Sequence, residues 1–440
     1  MSNSQSKPSA FGSITRRQCL QAVGGTAVAG AAIYAFAQRP PNLSDTPAAF
    51  DGRPLFDDVA AFDDLGVHRT ASRVDHATSR WLSEHLRSSG FEITTQSFKL
   101  RQFFPALSAL DIPSGRIVVH PQWPVPETLD IEDILAPDRI ALVEFCYNPR
   151  ARIDLPEYRS VLVEAKARGA RAAIAITEGP TDDIIVMNAP EKDWELPLPV
   201  VLAAPRDLPR IIKASNSAAR VRLRVGGHFE PSATAFNTIG HIDRGTPWIV
   251  VSTPQSGWTN AAGERGPGIA IWRALATELG RAAQSSILLV STSGHELGHL
   301  GAKAALPLIA SKLGGRELRL WLHLGANIAT RDYSEDIEGP GLLDAPYQER
   351  YLVASPSLLA PLTWSFWGEP GLTPLPAMSD SIAGEIGTVI DYGFAPAAGF
   401  FGKALFHHTF GDRSSQATSP KILEAVAERL LRFVRFIDLG

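Results

Sequence analysis

Cysteine is nearly absent from this chain, whose 440 residues include only Cys19 and Cys146. Two cysteines can form neither a disulfide framework nor a zinc cluster built on cysteine ligands. An excess of basic residues is also lacking: the formal net charge is -4, which argues against a nucleic-acid-binding protein. Any metal must therefore be held by carboxylates and by some of the eleven histidines.

The remaining composition is that of a soluble globular protein. Hydrophobic residues make up 45% and charged residues 20% of the chain, so a sizeable core is expected. A chain of this length predicts two or three domains, and its 33 prolines and 36 glycines predict many turns.

The N-terminus has the pattern of an export signal. Arg16 and Arg17 precede an Ala- and Gly-rich apolar stretch, 22–37, whose last three residues form an A-x-A cleavage pattern. This stretch is shorter than the roughly 18 apolar residues that span a bilayer, and no other segment of the chain is long and apolar enough to cross a membrane. We predict a twin-arginine export signal at 1–37, a Pro-rich linker at 38–49, and a periplasmic or secreted protein. If the signal is not cleaved, it would anchor the protein to the membrane.

The C-terminal half alternates strands with helices. Continuous apolar runs at 248–253, 286–293 and 318–324 predict buried strands, and 269–279 and 420–437 predict helices with one apolar face. This order indicates a doubly wound α/β sheet. Because ligands bind at the carboxyl ends of strands in such sheets, the residues that follow each strand are the candidates for chemistry.

Residues 105–228 have a different sequence pattern. Short β-like runs are interrupted by one convincing helix, Tyr158 to Arg168. We predict that this segment is a compact β-rich module inserted into an α/β domain formed by 50–104 and 229–440.

The segment after the 286–293 strand is Gly-His-Glu-Leu-Gly-His, residues 294–299. In this HExxH pattern the two histidines would lie one helical turn apart and could hold one metal ion, while the Glu between them acts as a base. However, in zinc endopeptidases this motif lies within a long helix, whereas here it follows a strand directly.

The longer run from Gly294 to Ala302 resembles the G-E-E-x-G-L-x-G-S segment of two-zinc exopeptidases related to bacterial leucyl aminopeptidases. Other stretches resemble that family in the same order: 74–98 its first helix and strand, 237–240 its N-x-I-G, 261–268 its G-A-x-D-D-G-S-G, 379–380 its S-D-H, and 408–412 its Y-H-T-x-x-D. The module at 105–228 is similar to the protease-associated domain that many members carry. The resemblance implies a mixed doubly wound sheet of the zinc aminopeptidase type with this module inserted.

The resemblance also implies an altered metal site. The family's H-x-D ligand motif falls on Pro254-Gln255-Ser256, so that ligand is missing. Glu264 takes the place of the metal-bridging Asp, while Glu296 and His408 match retained ligands. The same three positions hold the single zinc of the glutaminyl cyclases, which are similar in fold, so one zinc ion is expected.

Three further histidines surround this predicted set. His295 falls at the family's general-base Glu, and His299 is placed one turn along on the same helix face, so both are candidate catalytic residues. His323 aligns with the family's Asp ligand and is the fourth candidate metal ligand, although a two-residue slip would place Gly325 there instead. If the HExxH reading holds, His295 and His299 bind the metal.

These observations predict an exported, metal-dependent hydrolase that acts on the amide or peptide bond of a peptide or small amide. During export its partner would be the twin-arginine machinery, and no nucleic-acid partner is expected. Two alternatives stay open: a non-catalytic relative that keeps the fold as a binding platform, and an acyl-transfer enzyme of the glutaminyl cyclase kind.

Overall fold

The computed structural model of the chain describes residues 50–124, 128–189, 195–336, 339–377, 382 and 384–439. The predicted export signal at 1–37, the linker at 38–49 and the motif residues 379–380 lie outside these ranges. Among the helices within them, none combines the length and the apolar character needed to cross a bilayer.

The strands, in chain order, are β1 (Glu92–Pro105), β2 (Ser108–Ile112), β3 (Gly115–Pro121), β4 (Leu129–Ile134), β5 (Ile140–Phe145), β6 (Ala172–Thr177), β7 (Val200–Ala203), β8 (Arg220–Val225), β9 (Gly227–Ile242), β10 (Trp248–Pro254), β11 (Ser286–Thr292), β12 (Leu318–Leu324), β13 (Arg331–Asp336), β14 (Gly339–Pro346), β15 (Arg350–Ala354), β16 (Pro374–Pro376) and β17 (Ala397–Gly402). The α-helices are α1 (Gly52–Leu65), α2 (Arg73–Ser88), α3 (Pro156–Ala167), α4 (Leu208–Asn216), α5 (Gly266–Ala282), α6 (Leu300–Leu313), α7 (Leu359–Ser365), α8 (Glu385–Asp391), α9 (Ser414–Ala417) and α10 (Pro420–Leu439).

The larger sheet has eight strands in the order β1-β9-β11-β10-β12-β17-β15-β16. Its centre, from β11 through β10 and β12 to β17, is parallel. Strand β9 runs antiparallel to both β1 and β11, and β15 runs antiparallel to β17 and parallel to β16. The predicted mixed, doubly wound α/β sheet is therefore confirmed. The parallel centre brings the carboxyl ends of four strands to one edge.

Helices cover both faces of this sheet because its central strands are apolar on both sides. Ile249 and Val251 of β10 belong to a core cluster with α1, α5 and α10, whereas Val250 packs in another cluster with α6 and α8. Successive side chains of a strand point to opposite faces, which explains this division. The strands and helices that continuous apolar runs predicted in the C-terminal half are all present.

A second sheet is formed entirely by 108–225, the part of the chain that we assigned to the insert. Its seven strands have the order β4-β8-β2-β3-β7-β6-β5. The chain enters this sheet from β1 and leaves it into β9, and these two strands pair antiparallel from Glu92 opposite His241 to Pro105 opposite Gly227. The β1–β9 ribbon therefore joins the two sheets.

One buried histidine ties the first helix to its neighbours. His68 is fully buried, its ring stacks on Phe62 at 3.6 Å between centroids, and its Nε2 lies 2.9 Å from the Phe62 carbonyl oxygen. Its Nδ1 is hydrogen-bonded to Thr78 of α2 at 3.0 Å. Burial lowers the pKa of His68 to about 4, so the folded protein holds this ring neutral.

This shift makes stability depend on acidity. Between pH 6.5 and pH 4 the unfolded chain protonates His68 and the folded protein does not, so this group's contribution to the free energy of unfolding decreases as the pH falls. We expect a loss of about 3 kcal/mol across that window. In urea denaturation at pH 7.5, 6.5, 5.5 and 4.5, His68→Gln should show a shallower pH dependence than the wild type. Phe62→Leu, which lowers stability but leaves the histidine, should keep the wild-type slope, and parallel profiles for all three proteins would contradict the assignment.

Candidate functional site

Four loops meet at the carboxyl edge of the parallel strands. The loop after β10 carries Ser256 and Glu264, the one after β11 carries His295, the one after β12 carries Asn327, and the one after β17 carries His408. Because these parallel strands end at the same edge of the sheet, residues that are far apart in sequence come together there, at the edge where α/β sheets bind ligands.

Glu264 and His408 contact each other in this site, and both are buried. Glu264 Oε1 lies 3.1 Å from His408 Nε2. The other ring nitrogen of His408 donates to the carbonyl oxygen of Val186 at 2.6 Å, and Val186 belongs to the insert. Glu264 Oε2 is buried and has no hydrogen-bond partner.

His407 completes a group that could hold a metal ion. Ligand atoms of Glu264, His407 and His408 all lie within 4.8 Å of one another. His408 has a left-handed backbone with φ 61°, and the two imidazole rings are 4.1 Å apart between centroids. The sequence analysis did not single out His407, although its position beside His408 was a usable signal.

Arg265 lies against the same carboxylate. Its guanidinium is buried, with Nη2 2.7 Å from Glu264 Oε1, and its Nε donates to the carbonyl oxygen of Ser256 at 2.9 Å. Burial raises the pKa of Glu264, but Arg265, His408 and His407 together lower it well below its ordinary value. The arginine occupies the second acidic position of the G-A-x-D-D-G-S-G motif, and sequence reasoning missed it.

Glu296, a predicted metal ligand, lies outside the Glu264–His407–His408 group. Its Oε1 accepts a hydrogen bond from Thr70 at 2.7 Å, and its Oε2 accepts one from Ser256 at 2.8 Å. Ser256 stands in the altered H-x-D segment, so a hydroxyl there binds the carboxylate directly. The same hydroxyl accepts a hydrogen bond from the backbone N–H of Gly294 at 2.8 Å.

The predicted helix face with His295 and His299 does not form. His295 to Leu297 make a single 3-10 turn, flanked by Gly294 at φ 78° and Gly298 at φ 70°, and α6 begins only after His299. Left-handed backbone at these two glycines redirects the chain before a helix can propagate. The His295 and His299 rings nevertheless lie 4.9 Å apart between centroids.

His295 has a carboxylate partner that sequence reasoning missed. Its Nδ1 lies 3.2 Å from Oε1 of Glu385, the first residue of α8, and Glu385 Oε2 accepts a hydrogen bond from Thr292 at 2.7 Å. Burial, followed by the charge of Arg265, lowers the pKa of His295 well below its ordinary value. The ring is thus neutral, and donation from Nδ1 to Glu385 leaves its Nε2 lone pair free.

His299 and His323 are held by hydroxyl groups. His299 Nδ1 is hydrogen-bonded to Thr388 at 3.0 Å, and His323 Nδ1 to Ser252 at 3.0 Å. Burial lowers the pKa of His299 to about 3 and that of His323 to about 4. His323 is the penultimate residue of β12 and does not belong to the Glu264–His407–His408 group.

Asp412 fixes the loop that carries Glu264. Its two carboxylate oxygens accept hydrogen bonds from the backbone N–H groups of Gly263, at 2.7 Å, and Glu264, at 3.0 Å. Asp412 is itself buried, so the position of the Glu264 backbone depends on this contact.

The insert forms part of the site. The backbone N–H of Val186 donates to the carbonyl oxygen of His408 at 3.0 Å, and that of Ala189 donates to the carbonyl oxygen of Glu296 at 2.9 Å. Asn188 accepts a hydrogen bond from the indole of Trp258 at 3.0 Å. This segment of the insert therefore lies directly against three of the site loops.

Solved structures with a similar fold include two aminopeptidases. A zinc aminopeptidase from Bacillus subtilis matches with a TM-score of 0.65 and 14% identity, over 88% of this chain and 95% of that one. An aminopeptidase from Aneurinibacillus sp. strain AM-1 matches with a TM-score of 0.58 and 13% identity, over 87% and 93%. A peptidase M28 precursor from Shewanella amazonensis SB2B matches with a TM-score of 0.68 and 15% identity, over 94% and 96%.

No protein-family model and no curated protein matches the chain. The likeness to the solved structures confirms the predicted fold of the zinc aminopeptidase type. A fold can host different activities, so function has to be argued from the site itself.

The Asp412 contact predicts a stability effect. In Asp412→Asn, the side-chain amide turns a donor toward one of the two backbone N–H groups, which is left buried without an acceptor. We expect the free energy of unfolding to fall by about 1–3 kcal/mol in urea denaturation. Glu317→Gln, a matched change at an exposed acid, should stay within about 0.5 kcal/mol of the wild type. Equal stability of the two variants would show that Asp412 does not hold the loop.

Proposed function

We propose that this chain is an exported hydrolase of amide or peptide bonds, with the fold of the zinc aminopeptidases and a remodelled site for one metal ion. The observation that carries this proposal is the buried contact between Glu264 Oε1 and His408 Nε2, 3.1 Å apart. Export rests on the twin-arginine pattern at 1–37, which directs the protein to the periplasm or beyond.

The contact suits either a proton or a metal ion. Because His408 Nδ1 donates to Val186, it is Nε2 that faces Glu264 Oε1. These two atoms can share a proton, and without that proton both present lone pairs that a metal ion would bind. A carbonyl that fixes the far nitrogen of a histidine is the usual arrangement around metal-binding histidines.

The donor atoms of the group fit one zinc ion. Glu264, His407 and His408 would hold it, a carboxylate and two imidazoles being a common catalytic zinc set with an open position. The orphaned Glu264 Oε2 gives this group a free buried ligand atom. When bound, zinc would polarise the carbonyl of the scissile amide.

Glu296 and His323 fit a supporting role better than direct ligation. Both oxygens of Glu296 already accept hydroxyl hydrogen bonds, and His323 Nδ1 is occupied by Ser252. The Arg265 guanidinium supplies a positive charge where the resemblance would place a second acidic residue. These features favour one ion over two.

We assign the base to His295. Its neutral ring, oriented by Glu385, can take a proton at Nε2 from the water that attacks the amide carbon. The resulting imidazolium would be stabilised by the Glu385 carboxylate, and its proton would pass to the leaving nitrogen as the C–N bond breaks. The products are a carboxylic acid and an amine. His299, whose ring neighbours that of His295, would help to position it.

A non-catalytic binding protein is the second candidate. The buried ion pair between Arg265 and Glu264 neutralises the carboxylate without any metal, which would suffice for a site that only keeps the fold. Metal content separates this candidate from the hydrolase.

We expect metal analysis of the zinc-loaded protein after dialysis to give one zinc per chain. Glu264→Gln and His408→Ala should lose it, since each removes a donor atom of the group. Glu296→Gln and His323→Ala serve as controls and should keep it. A metal-free wild type would favour the binding protein, and two ions per chain would contradict the one-metal site.

Activity can be tested with a panel of aminoacyl anilides and short peptides, and with N-terminal glutaminyl peptides that reveal cyclisation. His295→Ala should reduce kcat by about 10²–10⁴-fold and Glu385→Gln by about 10–100-fold. Asp391→Asn, an exposed acid at the end of the same helix as Glu385, should retain wild-type turnover. Full activity in His295→Ala would exclude this histidine as the base, and cyclisation without hydrolysis would identify an acyl-transfer enzyme.

A further inference from the structure

A cleft of about 650 Å³ lies between the insert and the α/β domain, apart from the Glu264–His407–His408 group. Residues of both parts of the chain line it, among them Val67 and Arg69 from before the insert and Leu107 and Val118 from within it. Its volume is in the range of small-molecule sites. Trp258 and Phe410 also line it, so one end of the cleft lies next to the candidate site.

Arg69 is the unusual residue of this cleft. Only 4% of it is exposed, and neither terminal nitrogen of its guanidinium has a hydrogen-bond partner. The Nε donates to the carbonyl oxygen of Phe103 at 2.8 Å, and the guanidinium carbon lies 4.7 Å from the centroid of the Trp258 ring. Leaving charged donors buried and unpaired costs free energy, which an oxygen-bearing ligand would offset.

His120 provides a second unpaired nitrogen in the same cleft. Its Nε2 is buried without a hydrogen-bond partner, and its ring lies 5.3 Å from that of Phe410. Burial, followed by the charge of Arg69, lowers the pKa of His120 to about 3, so the ring is neutral. A neutral imidazole can donate one hydrogen bond to an oxygen beside the guanidinium.

The charge and polarity of the lining match an amphipathic anion. Asp183 is the acidic residue among those that line the cleft, and it forms an ion pair with Arg206. Arg69 and the exposed Arg73 therefore have no acidic partner in the lining, although the buried Glu296 carboxylate outside the lining acts on the charge of Arg69. Leu107 and Val118, which also line the cleft, are 66% and 60% exposed. A ligand with a carboxylate and an apolar body matches this lining, because the cation can bind the carboxylate and the exposed apolar side chains can cover the apolar body.

We infer that the cleft binds a small apolar carboxylate, with the carboxylate on Arg69 and His120 and the apolar body against Leu107 and Val118. This chemistry is shared by a medium-chain fatty acid and by the free C-terminus of a short apolar peptide. The inference is independent of hydrolysis, because binding in the cleft requires neither a metal nor turnover.

Isothermal titration of the protein tests this site. Decanoate should bind saturably, whereas decanol, which lacks the charge, should bind at least about tenfold more weakly. A tri-leucine peptide with a free C-terminus and its C-terminal amide distinguish the two sources: preference for the free peptide over decanoate identifies a peptide terminus, and the reverse identifies an acyl chain. Equal binding of decanoate and decanol, or no saturable binding of either carboxylate, would overturn the inference.

Variants locate the binding to the cleft. Arg69→Gln should weaken the tighter carboxylate by about tenfold or more, because the amide is neutral. Val118→Glu places a negative charge on the exposed wall and should weaken it similarly without disturbing the core. Val163→Glu makes the same substitution on α3, where Val163 is 48% exposed outside the cleft lining, and should bind like the wild type. Unchanged affinity in Val118→Glu, or an equal loss in Val163→Glu, would contradict the assigned position, even if Arg69→Gln failed to fold.

Discussion

The site loops are arranged around the buried carboxylate of Glu264, whose negative charge must be balanced by neighbouring groups. Removing an ionised carboxylate from water costs several kcal/mol unless charges and hydrogen bonds replace its hydration. The Arg265 guanidinium and the His408 ring meet one oxygen, and Asp412 fixes the backbone on either side of the Gly263–Glu264 peptide. The loops after β10 and β17 are therefore linked through one side chain.

The insert contributes contacts to this arrangement. Its Val186 carbonyl sets which nitrogen of His408 faces Glu264, and its Asn188 positions Trp258. Trp258 in turn stacks with Arg69 in the cleft between the two sheets. Trp258 and Leu297 also share a hydrophobic cluster with insert residues. The site, the insert and the cleft are therefore packed against one another.

Sequence reasoning predicted the parts of the molecule that depend on periodicity and order. The buried strands, and the rule that chemistry follows their carboxyl ends, were enough to place His295 at the functional edge, whereas Glu264 and His408 were identified through the resemblance. Arg265, His407 and Glu385 were missed because their roles depend on how loops turn after the strands, which apolar patterns do not encode. The helix expected at His295 was wrong for a physical reason that was visible in the sequence, since the glycines on either side of 295–297 permit left-handed turns. No sequence pattern indicated that hydroxyls of Thr70 and Ser256 occupy both oxygens of Glu296.

The β1–β9 ribbon has a consequence for how the chain reaches this structure. Its two strands are neighbours in space, yet the whole second sheet lies between them in sequence. Closing so long a loop carries an entropic cost that rises with the number of unordered residues, and contacts of high sequence separation slow folding. Once 108–225 has folded, its first and last strands, β2 and β8, are direct neighbours in the sheet. Formation of the second sheet would therefore shorten the loop that the pairing of β1 with β9 has to close.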